Sequence, residues 1–268
     1  MLLITTVQSP TPAEAALARG DAYYAQRGQG SVDGICKPEP IEAAMAEYRR
    51  AMHLDPASYA ARVGLMRAYF FRGGLCGMSD ADSMPLFEEA KKVVEETVKR
   101  LEADRRRGRV NEEALVYLWA ATSWGQWAVG HHLSAAWQKA PNRIRDMALA
   151  ALELDPTVEQ ASGHTILGRL HTETPKIRLV TGWIDREVGL QHLRLAVALC
   201  PENPSARFFL ADALLKLKRT SDAREEGMAL LRDVASMPPR PEYQVEDGHY
   251  ARQSRELLKH LETRVAPN

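Results

Sequence analysis

Apolar and small residues recur along this chain at spacings of three and four, the period of one face of an α-helix, and no segment alternates over several residues as a half-buried strand would. The clearest run is IEAAMAEYRRAMHLDP. In it Ala44, Tyr48 and Ala51 fall on one helical face, and Pro56 ends the helix. The ending then recurs. Ala151 to Pro156 and Ala196 to Pro201 repeat the A-x4-P spacing of Ala51 to Pro56, preceded by Ile144 and Ala148 in one copy and by Gly189 and Leu193 in the other. A local pattern that returns in this way signals a repeat architecture, which governs the fold before any single motif does.

These endings read as the second helix of a helix-turn-helix unit. Candidate first helices carry a small residue shortly before a bulky one, so that neighbouring helices approach closely and then interlock. Gly20 with Tyr23, Leu167-Gly168 with His171, and Leu210-Ala211 with Leu214 fit this rule. The expected first helices lie near 12–27, 57–73, 110–131, 157–173 and 204–217. The second helices lie near 41–54, 84–107, 142–154, 185–199 and 220–235. A polar helix near 246–263 follows the stiff segment PPRPEY and suits the end of a stack. The pattern of a Leu-Gly pair, then a bulky residue, then A-x4-P resembles the tetratricopeptide repeat family over roughly residues 12 to 235. The resemblance implies an all-α fold: a right-handed superhelical stack of about five helix hairpins with a C-terminal capping helix. The organisation expected is a flexible N-terminus over 1–11, a helical repeat domain over 12–237, and a linker with the capping helix over 238–268.

Departures from even spacing carry information of their own. The fifth unit spans 12 residues from Ala211 to Ala223, whereas Gly20 to Ala44 spans 24 and Gly168 to Gly189 spans 21. Long turns of one type emerge on one edge of a stacked array. The stretches QGSVDGICKPEP, GGLCGMSDADSMP, HHLSAAWQKAP and TPKIRLVTGWID are therefore expected side by side as one elaborated rim.

Composition narrows the function classes. Lys and Arg total 35, as do Asp and Glu, so the chain has no net charge to draw it to nucleic acid. Nowhere do about 18 consecutive apolar residues occur, so no transmembrane segment is expected. The first nine residues, MLLITTVQS, read either as the tail of a signal peptide or as a frayed helix start.

Few residues offer chemistry. Cys36 and Cys76 fall in long turns of adjacent repeats, which makes them a candidate disulfide; the alternative is two unpaired thiols in a reducing compartment. Cys200, ending a second helix, reads as core. His164, His171 and the pair His131-His132 are a candidate imidazole cluster, but their spacing matches no recognised ligand motif and no metal site is assigned. Trp119, Trp124 and Trp127 lie on two faces of one helix, so one face can line an apolar pocket while the other is core. The run Arg105-Arg106-Arg107-Gly108-Arg109 reads as a solvated helix end. No Walker-type, GxSxG or HExxH motif occurs, so no catalytic residue, cofactor or enzymatic role is expected.

Two narrower resemblances follow from longer stretches. ALVYLWAATSWGQWA, ALAALELDP and GHTILGRLH resemble the tetratricopeptide component associated with bacterial tripartite (TRAP-type) uptake transporters. LVTGWIDREVGLQHLRLAVALCPENPSARFFLADALL is similar to tetratricopeptide proteins of the regulator-of-microtubule-dynamics type. The first resemblance implies export and a membrane-associated complex, although the N-terminal Cys that often carries a lipid anchor in that family is not matched before Cys36. The function expected is a protein-interaction scaffold or accessory subunit. Its partner would lie in the groove, at Tyr24, Tyr69, Gln126, Arg169, Asp212 and Lys216, or along the rim. The alternative is an extracytoplasmic accessory protein that holds a small apolar ligand near the tryptophans; an extracytoplasmic location is favoured over the cytoplasm.

Overall fold

Short polar signals start most of the helices. In a computed structural model, which describes residues 9–104, 110–218 and 220–263 but not the side chains of His132 and Leu133, α1 (Pro12–Ala25) opens on a reciprocal cap. The Glu14 amide donates to Thr11 Oγ1 at 3.2 Å and the Thr11 amide donates to Glu14 Oε2 at 2.7 Å. Ser58, Ser79, Asp185, Asn203 and Thr220 cap α3 (Tyr59–Gly74), α4 (Asp80–Ala103), α9 (Arg186–Leu199), α10 (Pro204–Leu217) and α11 (Ser221–Ser236) through their side chains. The remaining helices are α2 (Pro38–Leu54), α5 (Val110–Gly130), the short α6 (His132–Trp137), α7 (Ala140–Leu154), α8 (Val158–Glu173) and α12 (Gln244–Thr263). Among the described residues there is no β-strand, only an isolated bridge between Val32 and Ile35. The fold is all-α.

Consecutive helices pack as the antiparallel pairs α1/α2, α3/α4, α5/α7, α8/α9 and α10/α11. The first helix of each pair also touches the first helix of the next, α1 on α3, α3 on α5, α5 on α8 and α8 on α10. Five first helices thus form one continuous layer. This sequential packing is compatible with a helical repeat.

Glycines set how closely the pairs approach. The Tyr48 ring of α2 is wedged between Gly20 of α1 and Gly64 of α3, where an added Cβ would meet it at 2.7 Å and 2.5 Å. Its hydroxyl donates to Asp21 Oδ1 at 2.8 Å, which fixes the ring. In the fourth pair Gly168 and Gly189 let α8 and α9 nearly touch, each facing the other's carbonyl. Tyr23, expected as the bulky knob after Gly20, is exposed instead, and its neighbour Tyr24 is buried.

The last helix departs from a simple end cap. It packs on α10 and α11, yet its first turns also reach the opposite end of the chain's helix series. Arg27, just after α1, pairs with Glu246 of α12 at 2.9 Å and donates to the Glu242 carbonyl. The α12 backbone at Gly248 and His249 lies against Gly34 and leaves no room for a side chain there: a Cβ on Gly34, which has φ +70, would meet the His249 nitrogen at 2.0 Å. Arg255 of α12 also pairs with Asp33. A helix that reads as polar in sequence is therefore amphipathic, with Val245, Ala251 and Tyr250 turned inward.

Candidate functional site

Where α12 crosses the layer of first helices it encloses a cavity of about 180 Å³. Every first helix or the segment just after it contributes to the wall: Tyr24 and Arg27, then Arg67 and Phe70, then Trp119, then Thr165 and Arg169, then Phe209. The α12 side supplies Tyr243, Glu246, Asp247 and Tyr250. Aromatic rings and arginines alternate around it.

The arginines stack on those rings. The Arg67 guanidinium lies 4.6 Å from the Tyr24 ring centre and 5.8 Å from that of Trp119, and Arg169 lies 4.1 Å from Phe209. Three of the four wall arginines have carboxylate partners: Arg27 with Glu246 at 2.9 Å, Arg240 with Asp247 at 2.8 Å, and Arg169 with Glu173 at 3.0 Å. Arg67 has no such pair among the described residues, and its Nε is buried without a hydrogen-bond partner. Burial raises the pKa of Glu246, against the pull of Arg27, and burial likewise raises the Tyr24 and Tyr250 phenols.

One edge of the wall is strained. Glu159, Gln160 and Ala161, at the start of α8, adopt left-handed φ values of 46°, 61° and 59°, a region that costs a non-glycine residue about 1–2 kcal/mol. Two bonds hold the turn. Asn203 Nδ2 donates to the Gln160 carbonyl at 3.2 Å, and Arg240 donates to Gln160 Oε1 at 2.6 Å. The strained residues are tied to α10 and to the segment before α12, and both Glu159 and Gln160 face the cavity.

Of the residues singled out from sequence, Tyr24, Arg169 and Trp119 line this cavity, and the others lie elsewhere. Tyr69 is buried beneath the outer helices, where its hydroxyl donates to Glu89 Oε2 at 2.8 Å. Gln126 is half-buried late in α5, and Asp212 is engaged with Lys216 at 2.7 Å on α10. Trp124 and Trp127 belong to the core between α4, α5 and α7, ring to ring at 5.3 Å, with Trp127 donating to Glu88 Oε1 at 2.6 Å. Of the three tryptophans only Trp119 faces the cavity, beside Leu118 and Thr122 of α5, because Trp124 and Trp127 sit on the side that α4 and α7 cover.

The cysteines and histidines are placed as follows. Cys36 and Cys76 form a disulfide with Cα atoms 4.5 Å apart, and Leu75, beside Cys76, belongs to the cavity wall. Cys200 is free and half-buried rather than core. His131 stacks on Trp127 and lies 3.0 Å from Glu88, away from His164 and His171. His164 instead meets His192 of α9, Nδ1 to Nδ1 at 2.9 Å, and among the described residues no group of three His, Cys, Asp or Glu side chains is disposed to hold a metal ion. The run at 105–109 and the first eight residues lie outside the described residues. No described helix is long and apolar enough to cross a membrane.

Sequence reasoning missed Arg67, the α12 side of the cavity, the left-handed turn and His192. Arg67 carried a usable signal: it stands three residues after Gly64, one helical turn along the first-helix face that must meet the next layer. No protein-family model matches the chain, and no curated protein matches it.

Proposed function

We infer that this chain is a non-enzymatic binding protein of tetratricopeptide type, and that it holds a small molecule between its first helices and α12. The observation that carries this reading is the aromatic-walled cavity that α12 closes over the first-helix layer. An extended peptide would need that layer open along its length, whereas α12 occupies it and is clasped at Arg27–Glu246 and Arg240–Asp247. A dry cavity of about 150 Å³ accommodates a benzene-sized molecule, so the space here suits a single ring or a short branched chain. The wall presents stacked rings, paired charges and amides, groups that grip and orient a ligand.

Thermal shift with ring-sized molecules tests the reading. Indole, benzamide and phenylacetate at about 100 times Kd would add about 2.7 kcal/mol, or roughly 5–10 °C in Tm. Thr122→Trp, which pushes an indole into the cavity from α5, should abolish the shift while leaving the unliganded protein folded. If no probe shifts the parent protein, or if the shift survives in Thr122→Trp, the cavity is not the binding site.

A second reading, a partner-binding scaffold, is favoured by the long turns. Trp137 at the end of α6 and Leu179 between α8 and α9 are 88% and 94% exposed, an unusual place for large apolar side chains. Trp137→Ser with Leu179→Ser should then weaken a partner complex without lowering Tm.

A further inference from the structure

We propose that the ligand of the cavity is an organic carboxylate with a small apolar body, and that Arg67 is the residue that binds its charged end. The inference rests on the cavity reading above and adds the chemical class of the ligand.

Buried polar atoms without partners are rare in folded proteins, and each one calls for an explanation. Several such atoms belong to this one wall: Arg67 Nε, Trp119 Nε1, Thr165 Oγ1 and Glu246 Oε2. Two of these, the guanidinium N–H and the indole N–H, can only donate, and the threonine hydroxyl can donate as well. Arg67 and Trp119 are moreover neighbours, the guanidinium stacked 5.8 Å from the indole ring. An acceptor placed beside them would satisfy both.

Charge narrows the acceptor further. Arg67 is half-buried, so its guanidinium gains from a counter-ion, and in this wall the carboxylates of Glu246 and Asp247 are already taken by Arg27 and Arg240. The Tyr24 phenol, and after it Glu159, act on the charge of Arg67, but the phenol is neutral and Glu159 forms no ion pair with it. The Nε edge of a guanidinium makes the side-on, two-bond fork with a carboxylate, which a neutral carbonyl cannot reproduce at equal strength. A phosphate group would bring about two negative charges to one unpaired cation, a poorer match. The rings of Tyr24, Phe70 and Phe209 then cover the apolar body.

Isothermal titration calorimetry of the full chain at neutral pH, with the disulfide intact, decides the matter. The probes are benzoate and phenylacetate, their neutral counterparts benzamide and phenylacetamide, and the cation benzylamine. The acids should bind roughly ten- to a hundredfold more tightly than the amides, the ratio expected of a charged hydrogen bond, and benzylamine should bind most weakly. Arg67→Met, which keeps the side-chain volume and removes the charge, should erase the preference for acids while leaving amide affinity within about threefold. Trp119→Phe keeps a ring and removes the donor; it should weaken the acids severalfold more than the amides. Should Arg67→Met fail to fold, the acid-to-amide ratio of the parent protein and the Trp119→Phe variant still give the answer. Equal affinity for acids and amides, or a preference for benzylamine, would overturn the carboxylate assignment and leave the cavity reading standing. Absence of binding by all five probes would remove both.

Discussion

Reducing the Cys36–Cys76 bond should destabilise the protein substantially, and the loop it closes sets the scale. The two cysteines are 40 positions apart. The chain-entropy relation gives about 4 kcal/mol for a loop of that length at 25 °C. For a domain of this size a change of 1 kcal/mol moves Tm by about 2–4 °C, so full reduction should lower Tm by roughly 8–16 °C. Two features of the structure pull toward the lower end. The Cys36 amide donates to the Leu75 carbonyl at 2.8 Å, and Cys36 is itself buried in the first core cluster, so the turns keep some contact after reduction. The assay is a thermal melt with and without a thiol reductant; Cys36→Ser/Cys76→Ser should melt low and not respond to reductant, while Cys200→Ser, which keeps the bond, should respond as the parent does. Because Leu75 belongs to the cavity wall, reduction should also weaken binding of any cavity probe. A Tm that moves by less than about 2 °C would refute the argument, as would peptide mapping that recovers both thiols free from protein made in an oxidising compartment. A bond of this kind persists only where thiols are not kept reduced, so its presence in the native cell would also place the protein outside the cytoplasm.

Two further outcomes follow from the packing and the histidines. Gly64→Ala would bring a methyl to 2.5 Å from a Tyr48 ring that cannot swing away, so it should cost about 1–3 kcal/mol despite better helix propensity, whereas Gly74→Ala, with nothing within 4 Å, should cost nothing and gain up to about 1 kcal/mol; equal stabilities in urea melts would contradict the wedge. His192 is pushed down to about 4 by burial and by the neighbouring His164 and His171, and burial lowers His164 and His171 too. The unfolded chain then binds more protons than the folded one between pH 6.5 and 4, so stability should be constant above about pH 6.5 and fall as pH drops toward 4. His192→Asn should flatten that fall; an unchanged Tm profile between pH 7 and 4.5 would show that the histidines do not carry it.

The period of the hydrophobic pattern made the helix pairs legible, because a helix that buries one face must repeat small and apolar residues every three or four positions. The same logic located Gly20, Gly168 and Gly189, where close approach of two helices leaves no room for a Cβ. It failed where the deciding contact lies far off in sequence. Tyr23 and Tyr24 are both plausible inward residues from spacing, and it is Tyr24 that packs on Phe71 of α3, ring centres 5.3 Å apart, with Arg27 stacked over it. Trp119, Trp124 and Trp127 could not be divided between pocket and core from spacing alone, since both faces of α5 meet other helices and only one of those meetings leaves a void. The left-handed turn at 159–161 had no signal at all, because none of its residues is a glycine or an asparagine.

That turn and α12 explain each other. Three left-handed residues in a row are unfavourable by a few kcal/mol together, and an ordinary helix start after Pro156 would avoid the cost. What the strained path achieves is to hold the Gln160 carbonyl against Asn203 and its side chain against Arg240. Arg240 in turn pairs with both oxygens of Asp247, which is nearly fully buried at the start of α12. The other clasp, Arg27 with Glu246, sits one residue away on the same helix but grips the first pair. Partly buried ion pairs of this kind contribute little net stability, yet they are satisfied in one register only, so a slip of α12 by a single residue would leave charges unpaired at both ends of the layer. The apolar face of α12 supplies its adhesion to α10 and α11, and the two clasps determine where along the layer it rests. The cavity exists because that resting place stops short of filling the space between Arg67, Trp119 and Phe209.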